Sequence, residues 1–159
     1  MTAVGFHSHD HASCVTDAVA QADAYCRANG LQFTAQRRRV LEYLLEEHRA
    51  VGAYEILDRL RADGFSAQPP VAYRALEFLT RNGFAHRIER LNAFIACTHP
   101  DSAHQPAFLI CRVCGAVAEA DSPAGKGRLA EAARNAGFQI EETVIEAEGV
   151  CPNCADRIE

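Results

Sequence analysis

Two pairs of cysteines in the C-terminal third of the chain have the spacing of metal ligands. Cys111 and Cys114 form one Cys-x-x-Cys motif, and Cys151 and Cys154 form a second one after 36 intervening residues. Two thiolates from each of two tight turns give the tetrahedral four-sulfur set that zinc favours, with no position left open for catalysis. A redox role requires a thioredoxin-like context around one motif, which two matched pairs do not provide. The spacing therefore predicts a structural zinc site.

A second group of potential ligands surrounds a predicted β-hairpin. The stretch from residue 84 to residue 97 alternates apolar and polar residues around a turn, which indicates two paired strands. If the hairpin is centred between Leu91 and Asn92, His86 stands directly opposite Cys97, close enough to share a metal. The further candidate ligands, among which the spacing does not choose, are His99, His104 and Glu119.

The residue types of this mixed set indicate which metal it would hold. A thiolate favours zinc, whereas carboxylate-rich sets suit iron(II) or manganese, so Cys97 points to zinc. A metal bound here would fix the orientation of two modules, which suits a sensor. The alternative is a zinc enzyme, in which three protein ligands and a water surround the metal and Glu119 acts as base. No nucleophile motif accompanies that arrangement.

Four helices are predicted ahead of the hairpin. The first covers residues 13–29, and the second follows Thr34 as its N-cap. The third covers AYEILDRLRAD at 53–63, and the fourth begins at paired prolines and ends near Gly83. The last two helices with the hairpin are typical of a winged helix-turn-helix, whose second helix enters the DNA major groove. The alternative for the polar face of the fourth helix is a merely solvated surface.

The segment between the two cysteine pairs has room for a small α/β module. We predict a strand near 116–120, a helix near 127–136 and a strand near 138–147. The predicted fold class is therefore α+β, a winged-helix domain followed by a small α/β domain that carries the four-cysteine zinc site. The predicted divisions are a disordered histidine-rich tail (1–12), the winged helix (13–97), a hinge (98–107) and the zinc-binding module (108–159).

Composition and charge limit the class of protein. The 159 residues are 48% hydrophobic, yet no apolar run approaches a bilayer span, and the N-terminus does not resemble a secretory signal. Seven cysteines is an odd count, which argues against a disulfide framework, and we predict a cytoplasmic protein. Residues 1–90 carry 11 basic and 11 acidic side chains, whereas the remainder carries 5 and 10. This asymmetry suggests two modules with different partners. The tract HSHDHASC could bind metal weakly.

Several motifs in their order along the chain give a specific resemblance. They are FTAQR at 33–37, AYEIL at 53–57, PPVAYRALEFL at 69–79, GFAHRIE at 83–89, and the pairs CRVCG and CPNC. With them the chain resembles the ferric uptake regulator family, and YRALEFL, NGFAHRIE, CGAV and VIEAEGVC are most similar to its zinc-responsive branch, the zinc uptake regulators. The likeness covers residues 15–155 approximately.

This resemblance implies a bacterial repressor that acts as a homodimer, with operator DNA as partner and neither membrane nor small-molecule substrate. It implies two zinc ions per chain. The implied structural ligands are Cys111, Cys114, Cys151 and Cys154. The implied regulatory ligands are His86, Cys97, His104 and Glu119, which is where His104 is chosen over His99. The implied DNA-binding residues are Tyr54, Tyr73 and Arg74.

The residues themselves agree with these DNA contacts. Tyr54 lies off the buried stripe of its helix, where a hydroxyl can reach a phosphate, and Arg74 lies on the exposed face of the fourth helix, where contact with guanine is possible. The chain departs from the family in having Val71-Ala72 where Thr-Val is usual, which removes a hydroxyl near the DNA. The rival functions are a sensor of iron or manganese, a zinc enzyme, and a zinc buffer that binds no DNA.

Overall fold

The computed structural model describes residue 6 and residues 11–100, 104–122 and 126–157. The chain divides into an N-terminal unit, His7–Pro100, and a C-terminal unit, Met1–Phe6 with Asp101–Glu159. Among the described residues, no helix has the length and hydrophobicity that a membrane span requires. The elements are α1 (His11–Ala28), α2 (Ala35–Glu46), α3 (Ala53–Ala62), α4 (Pro69–Arg81), β1 (Ala85–Ile88), β2 (Ala93–Ala96), β3 (Gln105–Cys111), β4 (Val117–Ser122), α5 (Arg128–Asn135), β5 (Ile145–Gly149) and α6 (Pro152–Ala155).

The N-terminal unit consists of the four predicted helices and the hairpin, which confirms the winged-helix arrangement. The Thr34 hydroxyl accepts a hydrogen bond of 3.3 Å from the Arg37 backbone N–H, so this residue caps α2 as predicted. The third and fourth helices bury one apolar stripe each. Those stripes are Ala53, Ile56, Leu57 and Leu60 on α3, and Ala72, Ala75, Leu76 and Leu79 on α4. Their packing leaves the opposite face of α4 in solvent.

The predicted register of the hairpin was wrong. His86 pairs with Ile95 rather than with Cys97, whose backbone N–H donates to the Phe84 carbonyl at 2.9 Å. The loop is centred one residue earlier than predicted, because Asn92 takes a positive φ of 46° and its N–H closes the turn onto the Glu89 carbonyl. The partner of His86 is thus Ile95, two residues before Cys97. Because side chains on a strand alternate between faces, a shift of two residues leaves His86 and Cys97 on the same face of the hairpin.

The C-terminal unit is built on a three-stranded sheet in the order β4-β3-β5. The central strand β3 runs antiparallel to β4 and parallel to β5. It begins at Gln105, inside the stretch predicted as hinge (98–107). The predicted strand near 138–147 forms only from Ile145, where pairing with β3 starts, and among the described residues no strand pairs with the segment before it. The predicted tail, residues 1–12, lies outside the described residues except for Phe6 and the start of α1.

Candidate metal centres

The four cysteines meet where β3 and β5 end. Cys111 is the last residue of β3 and pairs with Gly149 of β5, so the parallel register places the turn after β3 beside the chain that leads into α6. Cys114 lies in that turn, and Cys151 and Cys154 lie before and within α6. The four Sγ atoms all lie within 4.8 Å of one another. This compact group of sulfurs matches the four-thiolate set that zinc takes in structural sites.

Backbone groups set unequal proton affinities within this four-cysteine cluster. Hydrogen bonds from backbone N–H groups, that of Cys114 first and that of Cys151 next, lower the pKa of Cys111 to about 6. The Cys151 N–H lies 3.4 Å from the Cys111 Sγ. Burial raises the pKa of Cys154 to about 12 and also raises that of Cys151. Cys111 can therefore bind a cation as a thiolate near neutral pH, whereas Cys151 and Cys154 must release protons when a metal binds.

An aromatic side chain covers part of this cluster. Phe6 packs against the buried residues Cys111, Cys151 and Cys154, whereas Cys114 is exposed. The Asn153 side-chain amide donates to the Phe6 carbonyl at 3.3 Å. The sequence analysis did not identify Phe6, because no local pattern connects it with cysteines more than 100 residues away.

Two residues of the mixed set lie in the N-terminal unit. His86 is on β1 and Cys97 follows β2, and their ligand atoms lie within 4.8 Å of each other despite the shifted register. Cys97 is buried, and its Sγ accepts a hydrogen bond of 3.4 Å from the His99 backbone N–H. The His99 side chain is exposed, with Nδ1 2.9 Å from the Thr98 hydroxyl. In this unit a thiol and an imidazole thus lie close enough together to bind one metal ion.

The other two residues of the mixed set lie in the C-terminal unit. His104 immediately precedes β3, and its Nε2 lies 2.5 Å from the Glu119 Oε1. Glu119 is on β4 and is 2% exposed, the only buried charged residue among the described ones. A buried carboxylate is costly unless it is paired with a cation or a hydrogen-bond donor, and His104 supplies one such partner. This unit therefore holds an imidazole and a carboxylate in contact.

The residues predicted to contact DNA are all on the surface of the N-terminal unit. Tyr54, in the first turn of α3, is 69% exposed, and Tyr73 on α4 is 48% exposed. Arg74 is also exposed on α4 and makes no ion pair among the described residues. Their hydroxyl and guanidinium groups are therefore accessible to a polar partner such as nucleic acid.

Comparison with known proteins connects these features. The sequence matches the model of the ferric uptake regulator family over residues 28–148. It is similar to the zinc uptake regulation protein of Escherichia coli (strain K12), with 37% identity over 139 residues, 87% of this chain and 81% of that protein. A solved zinc uptake regulator complexed with zinc and DNA matches 90% of this chain and 96% of its own, with 35% identity and a TM-score of 0.84. The crystal structure of holo XcZur matches 87% and 96%, with 39% identity and a TM-score of 0.77.

Proposed function

Because the chain belongs to the ferric uptake regulator family, we propose that it is a zinc-responsive transcriptional repressor. In this proposal the zinc-loaded homodimer binds operator DNA and represses genes of zinc uptake. The observation that carries it is the likeness over nine-tenths of the chain to a zinc uptake regulator solved with zinc and DNA. The four-cysteine cluster and the exposed tyrosines and arginine of the N-terminal unit supply the chemistry that such a regulator needs.

We assign two zinc ions to each chain, with different roles. The four-cysteine cluster would hold a structural ion, because four protein sulfurs leave no position for exchange or for a substrate. The mixed set, His86, Cys97, His104 and Glu119, would hold the regulatory ion. His86 and Cys97 belong to the N-terminal unit, and His104 and Glu119 belong to the C-terminal unit. Zinc can promote DNA binding only as far as it binds the DNA-competent state better.

We assign DNA binding to the N-terminal unit and dimerisation to the C-terminal unit. Tyr54, Tyr73 and Arg74 would contact the duplex, the arginine through its capacity for two hydrogen bonds to guanine or phosphate. Support for dimerisation comes from large apolar side chains that the C-terminal unit leaves in solvent, where they cost free energy unless a partner covers them. These residues are Leu109, Val113, Leu129, Phe138, Ile140, Val144, Ile145 and Val150.

Two rival functions predict different behaviour. A sensor of iron(II) or manganese would use harder ligands than a buried cysteine, so Cys97 favours zinc. A zinc buffer would have no use for exposed Arg74, and its DNA-free function would tolerate loss of that side chain. Zinc-dependent DNA binding that disappears in Arg74→Ala would exclude a buffer.

The deciding experiment is fluorescence anisotropy of a labelled zinc-importer promoter fragment at two buffered concentrations of free zinc. We expect binding only at the higher concentration, and loss of that binding in Arg74→Ala. Arg38→Ala is the matched control, because Arg38 is ion-paired with Asp23 at 3.1 Å rather than available to DNA. A folded dimer that binds at neither concentration would contradict the proposal, and the same titration with iron(II) and manganese would then identify the metal.

A further inference from the structure

A small pocket lies between the start of α2 and the exposed side of α4. Its volume is about 170 Å³, and it is bordered by Thr34, Gln36, Arg37, Val71, Arg74 and Ala75. Two of its six lining residues are arginines, and Thr34 is the N-cap of α2. The positive end of the helix dipole adds to the charge of the arginines at this point. The pocket therefore has the size and the sign of charge that suit one anionic group.

The two arginines of the pocket differ from their neighbours in charge compensation. Eight other arginines of the N-terminal unit each pair with a carboxylate: Arg27, Arg38, Arg39, Arg49, Arg59, Arg61, Arg81 and Arg87. Arg37 and Arg74 make no ion pair among the described residues, although the two residues that follow Arg37, Arg38 and Arg39, both do. Positive charge in this unit is thus left uncompensated at the same pocket that these two side chains border.

Arg37 is held in place without a carboxylate. Its guanidinium carbon lies 3.8 Å from the centroid of the Phe78 ring on α4, and one terminal nitrogen donates to the Gln32 carbonyl oxygen. Within the part of the chain that the structure describes, stacking on an aromatic face and one hydrogen bond leave the other N–H donors of the guanidinium unused. A pre-oriented guanidinium loses less conformational entropy when it binds an anion.

We propose that this pocket binds a backbone phosphate of duplex DNA, with Arg37 and Arg74 as its two cationic contacts. The inference rests on the proposed DNA-binding function and adds Arg37 to the residues that carry it. A phosphodiester of duplex DNA is the anion that fits the proposed function, because α4 also exposes Tyr73, directly before Arg74, to a ligand that extends beyond the pocket. The contact would add affinity for any sequence and fix the position of α4, without selecting bases.

The test measures how the affinity of zinc-saturated, full-length protein for a mixed-sequence duplex depends on salt concentration. K is the association constant for DNA, and log K falls as log salt rises. If Arg37 contacts a phosphate, Arg37→Gln makes this slope less steep by about 0.9 for every Arg37 that reaches the duplex. We expect it to weaken binding about 10-fold, equally for the mixed-sequence duplex and the zinc-importer promoter fragment. Arg38→Gln removes the same charge from the adjacent residue and is expected to keep the wild-type slope, because Arg38 is paired with Asp23.

Two further measurements separate the contact from a packing role of Arg37. Arg37→Lys keeps the charge and should restore most of the slope, whereas a residue that only packs on Phe78 would not be rescued by lysine. Thermal melts of each variant establish that α2 and α4 are still folded. Inorganic phosphate at constant ionic strength is the other possible occupant, and it should compete only weakly because it lacks the flanking duplex.

The phosphate assignment is overturned if Arg37→Gln keeps the wild-type slope while wild type and Arg38→Gln bind the duplex normally. It is also overturned if Arg37→Gln weakens binding to the promoter fragment alone, which would indicate a base contact, or if inorganic phosphate saturates the pocket without displacing DNA. In all three cases the proposed regulator function stands. If wild type itself shows no zinc-dependent binding, the regulator function and the phosphate site fall together.

Discussion

The four-cysteine cluster and the mixed set differ in where their ligands come from. The cluster uses only sulfur, and its four residues belong to one unit, at the ends of two strands that pair directly. The mixed set draws two residues from each unit and combines imidazole, thiol and carboxylate. A metal in the cluster can therefore stabilise a single unit, whereas the mixed set is the one for which we propose a regulatory role. A zinc ion can therefore have a structural or a regulatory role, depending on which segments of the chain supply its ligands.

The largest effect is expected from removal of one cluster sulfur. In Cys151→Ser the C-terminal unit should lose both its zinc and its cooperative unfolding transition, because a structural zinc contributes on the order of 10 kcal/mol to folding. Among the described residues of this unit, the buried large apolar side chains that could compensate are Phe108, Ile110 and Val117. Zinc analysis and thermal melts would measure both losses.

The control for this change is Cys14→Ser, which alters an exposed cysteine on α1. It should leave zinc content and melting temperature unchanged. If Cys151→Ser keeps a full complement of zinc and melts at the wild-type temperature, the cluster does not have a structural role.

Loss of the buried thiol of the mixed set should affect signalling rather than folding. We expect Cys97→Ser to retain one zinc per chain and a folded structure, but to bind promoter DNA equally poorly at low and high free zinc. The reason is that the thiolate is the softest ligand of the set and the one that favours zinc. Zinc content after dialysis against a mild chelator, together with anisotropy, tests this expectation; a normal zinc response would exclude Cys97 from the site.

A smaller effect should distinguish the two candidate histidines. His104→Ala removes the side chain that meets Glu119 at 2.5 Å and should weaken the regulatory zinc on the order of 100-fold, the upper end of what changes around a metal ligand cause. His99→Ala, its matched control, removes an exposed ring and should leave the affinity unchanged. Competition with a zinc-binding dye measures both affinities. The reverse order of effects would make His99 the ligand.

The smallest expected difference is in proton release. Because burial holds the pKa of Cys154 at about 12 and raises that of Cys151, both thiols are protonated near neutral pH and must lose protons to zinc. The mixed set has a single thiol. Zinc affinity should therefore rise with pH at both sites, and more steeply at the cluster. Calorimetry in buffers of different ionisation enthalpy counts the protons, and binding of zinc to the cluster without proton release would show that its thiols are already ionised.

Short-range features of the sequence predicted much of the fold. The Thr34 cap, the four helices and the hairpin depend on residues that are close in sequence, and the structure confirms them. The assignment of Tyr54, Tyr73 and Arg74 to DNA stays a prediction, supported by their exposure. The hairpin register could not be predicted, because the positive φ of Asn92 moved the turn by one residue.

The sequence by itself determined which side chains could bind a metal and which cysteines lie in one Cys-x-x-Cys motif. Turn geometry and the periods of helix and strand are properties of neighbouring residues, so they can be inferred without the fold. Only the tertiary structure decided which distant segments meet. The parallel pairing of β3 with β5 brings the two cysteine motifs together, and Phe6 packs on cysteines from the other end of the chain. His104 meets Glu119 although β3 pairs Glu119 with Phe108, so this contact depends on the path of the chain ahead of β3. Such contacts depend on the free energy of packing segments that are far apart in sequence, and no local pattern encodes that energy.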